Sequence, residues 1–195
     1  MNNKKPNPRL KALTDDQMSS EQRSLRDEIL SGPRGNFKFG GPFAVWLHAP
    51  AFGQKAQQLG AFCRYKTSLP PRLSEFAIIV IGRIWRAQYE WEAHAPIAER
   101  AGVSAETIKD VKAGRRPRNA PADELAIYDF IRQLHRDRRV SDAAYQEVQG
   151  LLGDAGTVEL VGILGYYTLI SMTLNVFQVP TESDKGMPFR EPLPR

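Results

Sequence analysis

Residues 71–103, PRLSEFAIIVIGRIWRAQYEWEAHAPIAERAGV, hold the pattern on which the reading of the fold turns. Phe76, Ile79, Val80, Ile84 and Ala87 recur at helical spacing, and Ile78, Ile81 and Trp85 supply a second apolar face. A helix that is apolar nearly all round is expected to be buried among other helices. Into this setting the sequence puts three proton-transfer groups, Glu75, Glu90 and His94. Charge is costly to bury, so such groups are paired or functional. Glu90 and His94, four residues apart, share one helical face, where a carboxylate and an imidazole can exchange a proton near neutral pH. Pro96 leaves the carbonyl of Glu92 without its helical partner. Gly102 is expected to end the helix, and Ser104 with Glu106 to begin the next.

Glu75 sets a geometric condition. On one unbroken helix it would stand roughly 22 Å from Glu90 and about 28 Å from His94. No small substrate spans that distance, so either Glu75 is unrelated to the pair or the chain breaks and folds back. Gly82 and the run Arg86-Ala87-Gln88 are the places for a break, and the expectation is a break near Arg86–Gln88.

The pattern Pro71-Arg72-Leu73-Ser74-Glu75, then Glu90-Trp91-x-x-His94, then Ala98-x-x-Ala101-Gly102-Val103-Ser104 resembles the carboxymuconolactone decarboxylase family, which shares its fold with alkylhydroperoxidase D. Weaker similarity runs from Gly41 to Pro180. The resemblance implies an all-α, alkylhydroperoxidase D-like domain with a central helix hairpin, assembled as trimers or hexamers. In the peroxidase branch a glutamate precedes a Cys-x-x-Cys, and a histidine follows the second cysteine by four positions. Glu75 and His94 match those two residues, while Ala87 and Glu90 stand where the cysteines would be. Without thiols there is no thiolate to reduce a peroxide. The chain therefore looks more like the decarboxylase branch, a carboxy-lyase of the type met in aromatic-compound catabolism.

On that resemblance His94 is the general acid or base, Glu90 tunes it, and Glu75 positions it from across the hairpin. A lactone or keto acid would lie in an apolar pocket under Tyr89 and Trp91, with Arg83 or Arg86 on its carboxylate and His48 a further candidate for the pocket wall. Apolar surroundings favour loss of carbon dioxide, because charge disperses in that transition state. No organic cofactor is expected, and no metal, since no second histidine lies near His94. Two other readings stay open: a peroxiredoxin-type antioxidant protein that has lost its thiols, and a non-catalytic binding or scaffold protein on the same fold.

The 195 residues suit one domain, with 42% hydrophobic and 25% charged residues. No apolar run reaches the roughly 18 residues of a membrane span, the N-terminus has no signal-peptide core, and a single cysteine fits a reducing cytoplasm. The net charge of +5 is local. Lys4, Lys5, Arg9, Lys11, Arg115, Arg116 and Arg118 carry seven positive charges, and taking them from +5 leaves the rest of the chain at −2. With no recognition motif beside them, they do not argue for nucleic acid.

Residues 1–13 read as a disordered basic tail, 14–180 as the helical domain, and 181–195 as a proline-rich arm, free or laid on a partner subunit. Thr14 is expected to cap a helix to Leu30. Residues 31–41 read as a glycine-rich connector with Phe37 and Phe39 tucked inward. Pro50 starts a helix whose core stripe is expected to be Phe52, Ala56, Leu59 and Cys63. Loop 114–121 is basic, and His135 sits among arginines at the surface. Residues 153–156 are expected to turn the chain before a last long helix, 157–179, which offers a subunit contact. That helix aligns with the central stretch at an offset of 84, placing Glu159 on Glu75 and Leu174 and Gln178 on Glu90 and His94. Internal duplication and chance similarity both account for it.

Overall fold

Ten consecutive residues, Leu73 to Gly82, are buried along helix α4, Pro71–Ile84, and the rest of the molecule is packed around that rod. In the computed structural model, residues 7–34, 38–182 and 187–189 are described. Among them the regular elements are all helical: a 3-10 turn, Asp15–Gln17, then α1 (Ser20–Ser31), α2 (Gly41–Trp46), α3 (Pro50–Tyr65), α4, α5 (Gln88–Arg100), α6 (Ala105–Lys112), α7 (Ala122–Asp137) and α8 (Asp142–Val176). Helix α4 runs against α5, α6, α7 and α8, while α1 to α3 close one end of the bundle and reach α8 through α2 and α3. Phe76, Ile79, Ile81, Ile127, Ile131, Leu160 and Ile163 form the centre of the core. Arg72 ties the start of α4 to α7 by ion pairs of 2.5 Å to both Asp123 and Glu124.

The break in the central stretch falls at Arg86, whose φ of 48° is left-handed. The Arg86 N–H donates to the Arg83 carbonyl at 3.2 Å and the Ala87 N–H to the Gly82 carbonyl at 2.9 Å. This is a Schellman-type ending with arginine where glycine is usual. It turns the chain so that α5 folds back along α4. The two stretches of the offset-84 alignment fold differently, because Ile170, the counterpart of Arg86, is buried within continuous helix. Glu159 accepts hydrogen bonds from the backbone and hydroxyl of Ser68, both at 2.7 Å, and has no imidazole partner.

Several sequence expectations are corrected. Thr14 caps only the 3-10 turn, and Ser19 starts α1 by accepting from the Gln22 N–H. The turn expected at residues 153–156 is narrowed to Gly153 alone (φ 70°, ψ −179°), a non-helical residue at which two helical segments of α8 meet in a kink. The face of α3 is also different: Phe52 and Leu59 are each 49% exposed, and the inward residues are Gly53, Ala56, Gln57, Gly60 and Cys63. Small residues face inward there because neighbouring groups approach the helix backbone closely. A Cβ at Gly53 would meet the Leu25 side chain at 2.7 Å, and one at Gly60 would meet the Tyr166 hydroxyl at 2.0 Å. Helix α8 has the length and composition of a membrane crossing, yet 56% of its most apolar window is buried inside the bundle.

The basic tail is not free along its whole described length. From Arg9 it lies on the end of α8, donating its N–H to the Phe177 carbonyl (3.0 Å) and its side chain to the Val176 carbonyl (2.8 Å). Those last-turn carbonyls have no helical partner, which is why they attract donors. Residues 1–6, Phe37, and most of the expected C-terminal arm lie outside the described residues; Phe39 packs on the small core of Met18, Leu25, Ile29 and Leu47.

Candidate active site

Doubling back at Arg86 brings the carboxylate of Glu75, near the start of α4, onto the imidazole of His94 in the middle of α5. His94 Nδ1 and Glu75 Oε2 are 2.7 Å apart, and both side chains are buried. On the other side of the ring, Nε2 lies 3.1 Å from Glu90 Oε1, one helical turn away. The second approach lacks the alignment of a hydrogen bond, and that oxygen has no other partner among the described residues. An Nδ1–H donated to Glu75 fixes the tautomer and leaves Nε2 as the basic atom beside Glu90. Gly82 faces the Glu90 side chain across the hairpin, where a Cβ would stand 3.7 Å from Glu90 Cγ, at ordinary contact.

Burial raises the carboxyl of Glu90 above its ordinary range, the charge of Glu75 adds to that, and His94 and Arg64 oppose it. Glu90 therefore keeps a proton at pH values where an exposed glutamate has lost it. Glu75 sits behind the ring, while Glu90 and His94 line a cleft of about 260 Å³. The chemistry open to this group is transfer of one proton between the cleft and a carboxylate–imidazole pair held out of water.

The walls of the cleft come from other helices. Tyr166 and Tyr167 of α8 stand edge-on to one another (5.3 Å), and Tyr167 is edge-on to His94 (5.2 Å). Burial pushes both phenols well above their usual range, so they remain neutral. Arg64 of α3 reaches the same cleft. Burial works against its charge and the neighbouring acids Glu75 and Glu90 favour it, and the balance leaves the guanidinium protonated. Arg34 is fixed there by bonds to the side chain (3.3 Å) and carbonyl (3.0 Å) of Gln57, over the Phe43 ring at 4.8 Å.

Of the residues singled out in the sequence, Glu75, Glu90, His94 and Tyr89 meet at this cleft or directly behind it. The others do not. The Arg83 side chain donates to the Lys112 carbonyl at 2.7 Å and lies over Phe189. Arg86 lines a separate cleft with Asn175 and Gln178, because its left-handed backbone aims it away from His94. His48 pairs with the Lys11 carbonyl at 3.1 Å, in a groove beyond Tyr89. Trp91 is buried against Phe189 (5.2 Å). That contact also corrects the reading of the arm as free or laid on a partner, since Phe189 is clamped to its own chain by both ends of the Gln88 amide (2.7 and 2.8 Å). In the basic loop Arg115 and Arg116 pair with Asp110 and Asp129. Sequence reasoning missed Arg34, Arg64, Tyr166 and Tyr167. The one available signal is Arg64 itself, a charge beside the inward Gly60 and Cys63 on a half-apolar helix.

Comparison with known proteins agrees with this architecture. The carboxymuconolactone decarboxylase family profile matches residues 50–130, a span that takes in α3 to α6 and most of α7. A solved structure from Ralstonia eutropha JMP134, described as an alkylhydroperoxidase AhpD core and an uncharacterized peroxidase-related protein, superposes with a TM-score of 0.74. It is 14% identical, with 91% of this chain and 94% of that one covered, so the likeness is one of fold. No curated protein matches the sequence.

Proposed function

We propose that this chain, whose residues 50–130 match the carboxymuconolactone decarboxylase family on an alkylhydroperoxidase D-like fold, is an enzyme that decarboxylates a small lactone or keto acid by acid–base chemistry. The observation that carries this reading is the buried line Glu75–His94–Glu90, with a carboxylate oxygen within 3.1 Å of each imidazole nitrogen and only the Glu90 end and the ring facing the cleft. The bond from the substrate carbon to its carboxylate breaks, carbon dioxide leaves, and the electron pair moves into the adjoining carbonyl as an enolate. The Glu90 carboxyl then delivers its proton to carbon. A proton from solvent entering the cleft then reaches Nε2 of His94, and the imidazolium so formed, stabilised by Glu75, passes it to Glu90 and restores the starting state. The apolar walls, Phe43, Ile97 and Ile170, disfavour the charged starting acid relative to the dispersed charge of the transition state.

Peroxide reduction has less support. Cys63 is a lone buried cysteine whose thiol burial pushes up, away from thiolate. The apolar residues left exposed on α3 (Phe52, Leu59, Phe62, Tyr65) and α8 (Val158, Val161, Met172, Val176) support association of several copies, which light scattering would measure.

The test is carbon dioxide release from a panel of small lactones and keto acids by the wild type, His94→Ala and Glu90→Gln. General acid–base groups contribute about 10²- to 10⁴-fold, and a loss of that size is expected in each variant. Folded variants with full turnover on every active substrate would end the proposal.

A further inference from the structure

Arg64 differs from Arg34, which shares its cleft, and from several arginines elsewhere in the chain. Arg34, Arg72, Arg83, Arg115 and Arg116 each donate to a carboxylate, an amide or a carbonyl. Arg64 is packed between α3 and α8 at the cleft, yet among the described residues it makes no hydrogen bond and no ion pair, only a stack on the Tyr65 ring at 5.4 Å. A guanidinium carries five N–H donors in a planar fork that matches a carboxylate. Leaving such a group largely removed from water and without acceptors is costly, and an anion in the cleft would relieve that cost. The nearby acids do not serve: Glu75 is engaged by His94, and Glu90 points to the other face of the same ring.

We propose that Arg64 is the anion receptor of this cleft, binding the carboxylate or enolate oxygens of a small, flat organic acid whose body lies between Phe43, Ile97 and Ile170. The inference rests on the acid–base reading for its consequence in turnover, but not for binding. A guanidinium paired with a departing carboxylate would hold the starting state back. The oxygens at Arg64 are therefore ones that the product keeps, and the bond that breaks lies towards Glu90. The volume of about 260 Å³ admits one ring with its substituents.

The experiment is calorimetric titration of the full-length protein with benzoate, with benzamide as the neutral isostere and inorganic phosphate as the non-planar anion. Benzoate is expected to bind at one site per chain, benzamide not to bind, and phosphate to bind more weakly than benzoate. Hydrogen bonds to charged groups are worth about 1.5–3 kcal/mol, so Arg64→Gln is expected to weaken benzoate roughly 10- to 100-fold. Arg64→Lys should recover part of the loss as a point charge, and the exposed Arg100→Gln, which removes the same charge elsewhere, should change nothing. His94→Ala is expected to bind benzoate while losing turnover. Benzoate binding by folded Arg64→Gln at wild-type affinity would overturn the proposal, as would wild-type protein that binds none of the three probes, or equal binding of benzoate and benzamide. Intact, Arg64-dependent binding with no turnover on any acid would instead sink the decarboxylase reading and leave this one standing.

Discussion

Gly60→Ala sets two effects of opposite sign against each other at the wall of the cleft. Gly60 is inside α3, and replacing a helical glycine by alanine gains about 1 kcal/mol from propensity alone. Here, however, the added Cβ would lie 2.0 Å from the Tyr166 hydroxyl oxygen and 2.2 Å from the ring carbon bearing it. Ordinary contact begins near 3.4 Å, so the ring must retreat by more than 1 Å. It has little room to do so, being 5% exposed and wedged edge-on between Tyr167 and Trp46. Overpacking of this kind costs typically about 1–3 kcal/mol and at times more, and a clash this severe falls at the upper end. The net expectation is a loss of about 2 kcal/mol, read in calorimetry as a fall in Tm of roughly 4–8 °C for a chain of this size. Gly150→Ala is the matched control, since nothing lies within 4 Å of the place its methyl group would take, and it should rise by the propensity gain. A Gly60→Ala protein that melts higher than wild type, together with Gly150→Ala, would refute the close approach of α3 and α8.

Glu90→Gln carries a pH signature. Burial raises the folded-state pKa of Glu90 above its unfolded value, so between the two the folded chain holds the extra proton. Stability from this group is then complete below the unfolded pKa and falls as pH rises through the folded one. Glutamine does not titrate, so denaturant melts should show the variant gaining on wild type from pH 4 to pH 8, and a constant gap would contradict the buried placement. Phe189→Ala should remove the cover from Trp91 and cost on the order of 3 kcal/mol, as large-to-small changes in packed sites do. A red shift of tryptophan emission would report it, and unchanged emission and stability would show that the arm does not lie there.

The central hairpin is legible in the sequence because its signals are local. Near-continuous apolar character marks α4 as buried, and the distance from Glu75 to His94 forces a break that only a few residues permit. Even the unusual ending at Arg86 can be placed, though glycine is the residue that normally announces one. The face of α3 is not legible, because periodicity weighs hydrophobicity and that helix reverses the usual rule. Its large apolar residues, Phe52 and Leu59, point outward, while Gly53 and Gly60 accept a leucine methyl and a phenol against the backbone. Nearness to the acids in sequence points to Arg83 and Arg86 as the anion-binding arginines. Their side chains leave the cleft, one to the end of α6 and the other to the far side of the turn. Arg64 and the tyrosine pair reach it from helices about 11 and 72 residues away from Glu75 and His94 respectively, a relation set by packing alone.

The turn at Arg86 closes a span of only 19 residues between Glu75 and His94. The proton-handling unit is thus one supersecondary piece, short in loop-closure terms, whereas the surfaces a ligand would touch are lent by distant segments. Chemistry and selectivity are mounted separately, so exchanging side chains along α3 or α8 can re-tailor what enters the cleft without dismantling the relay at its base.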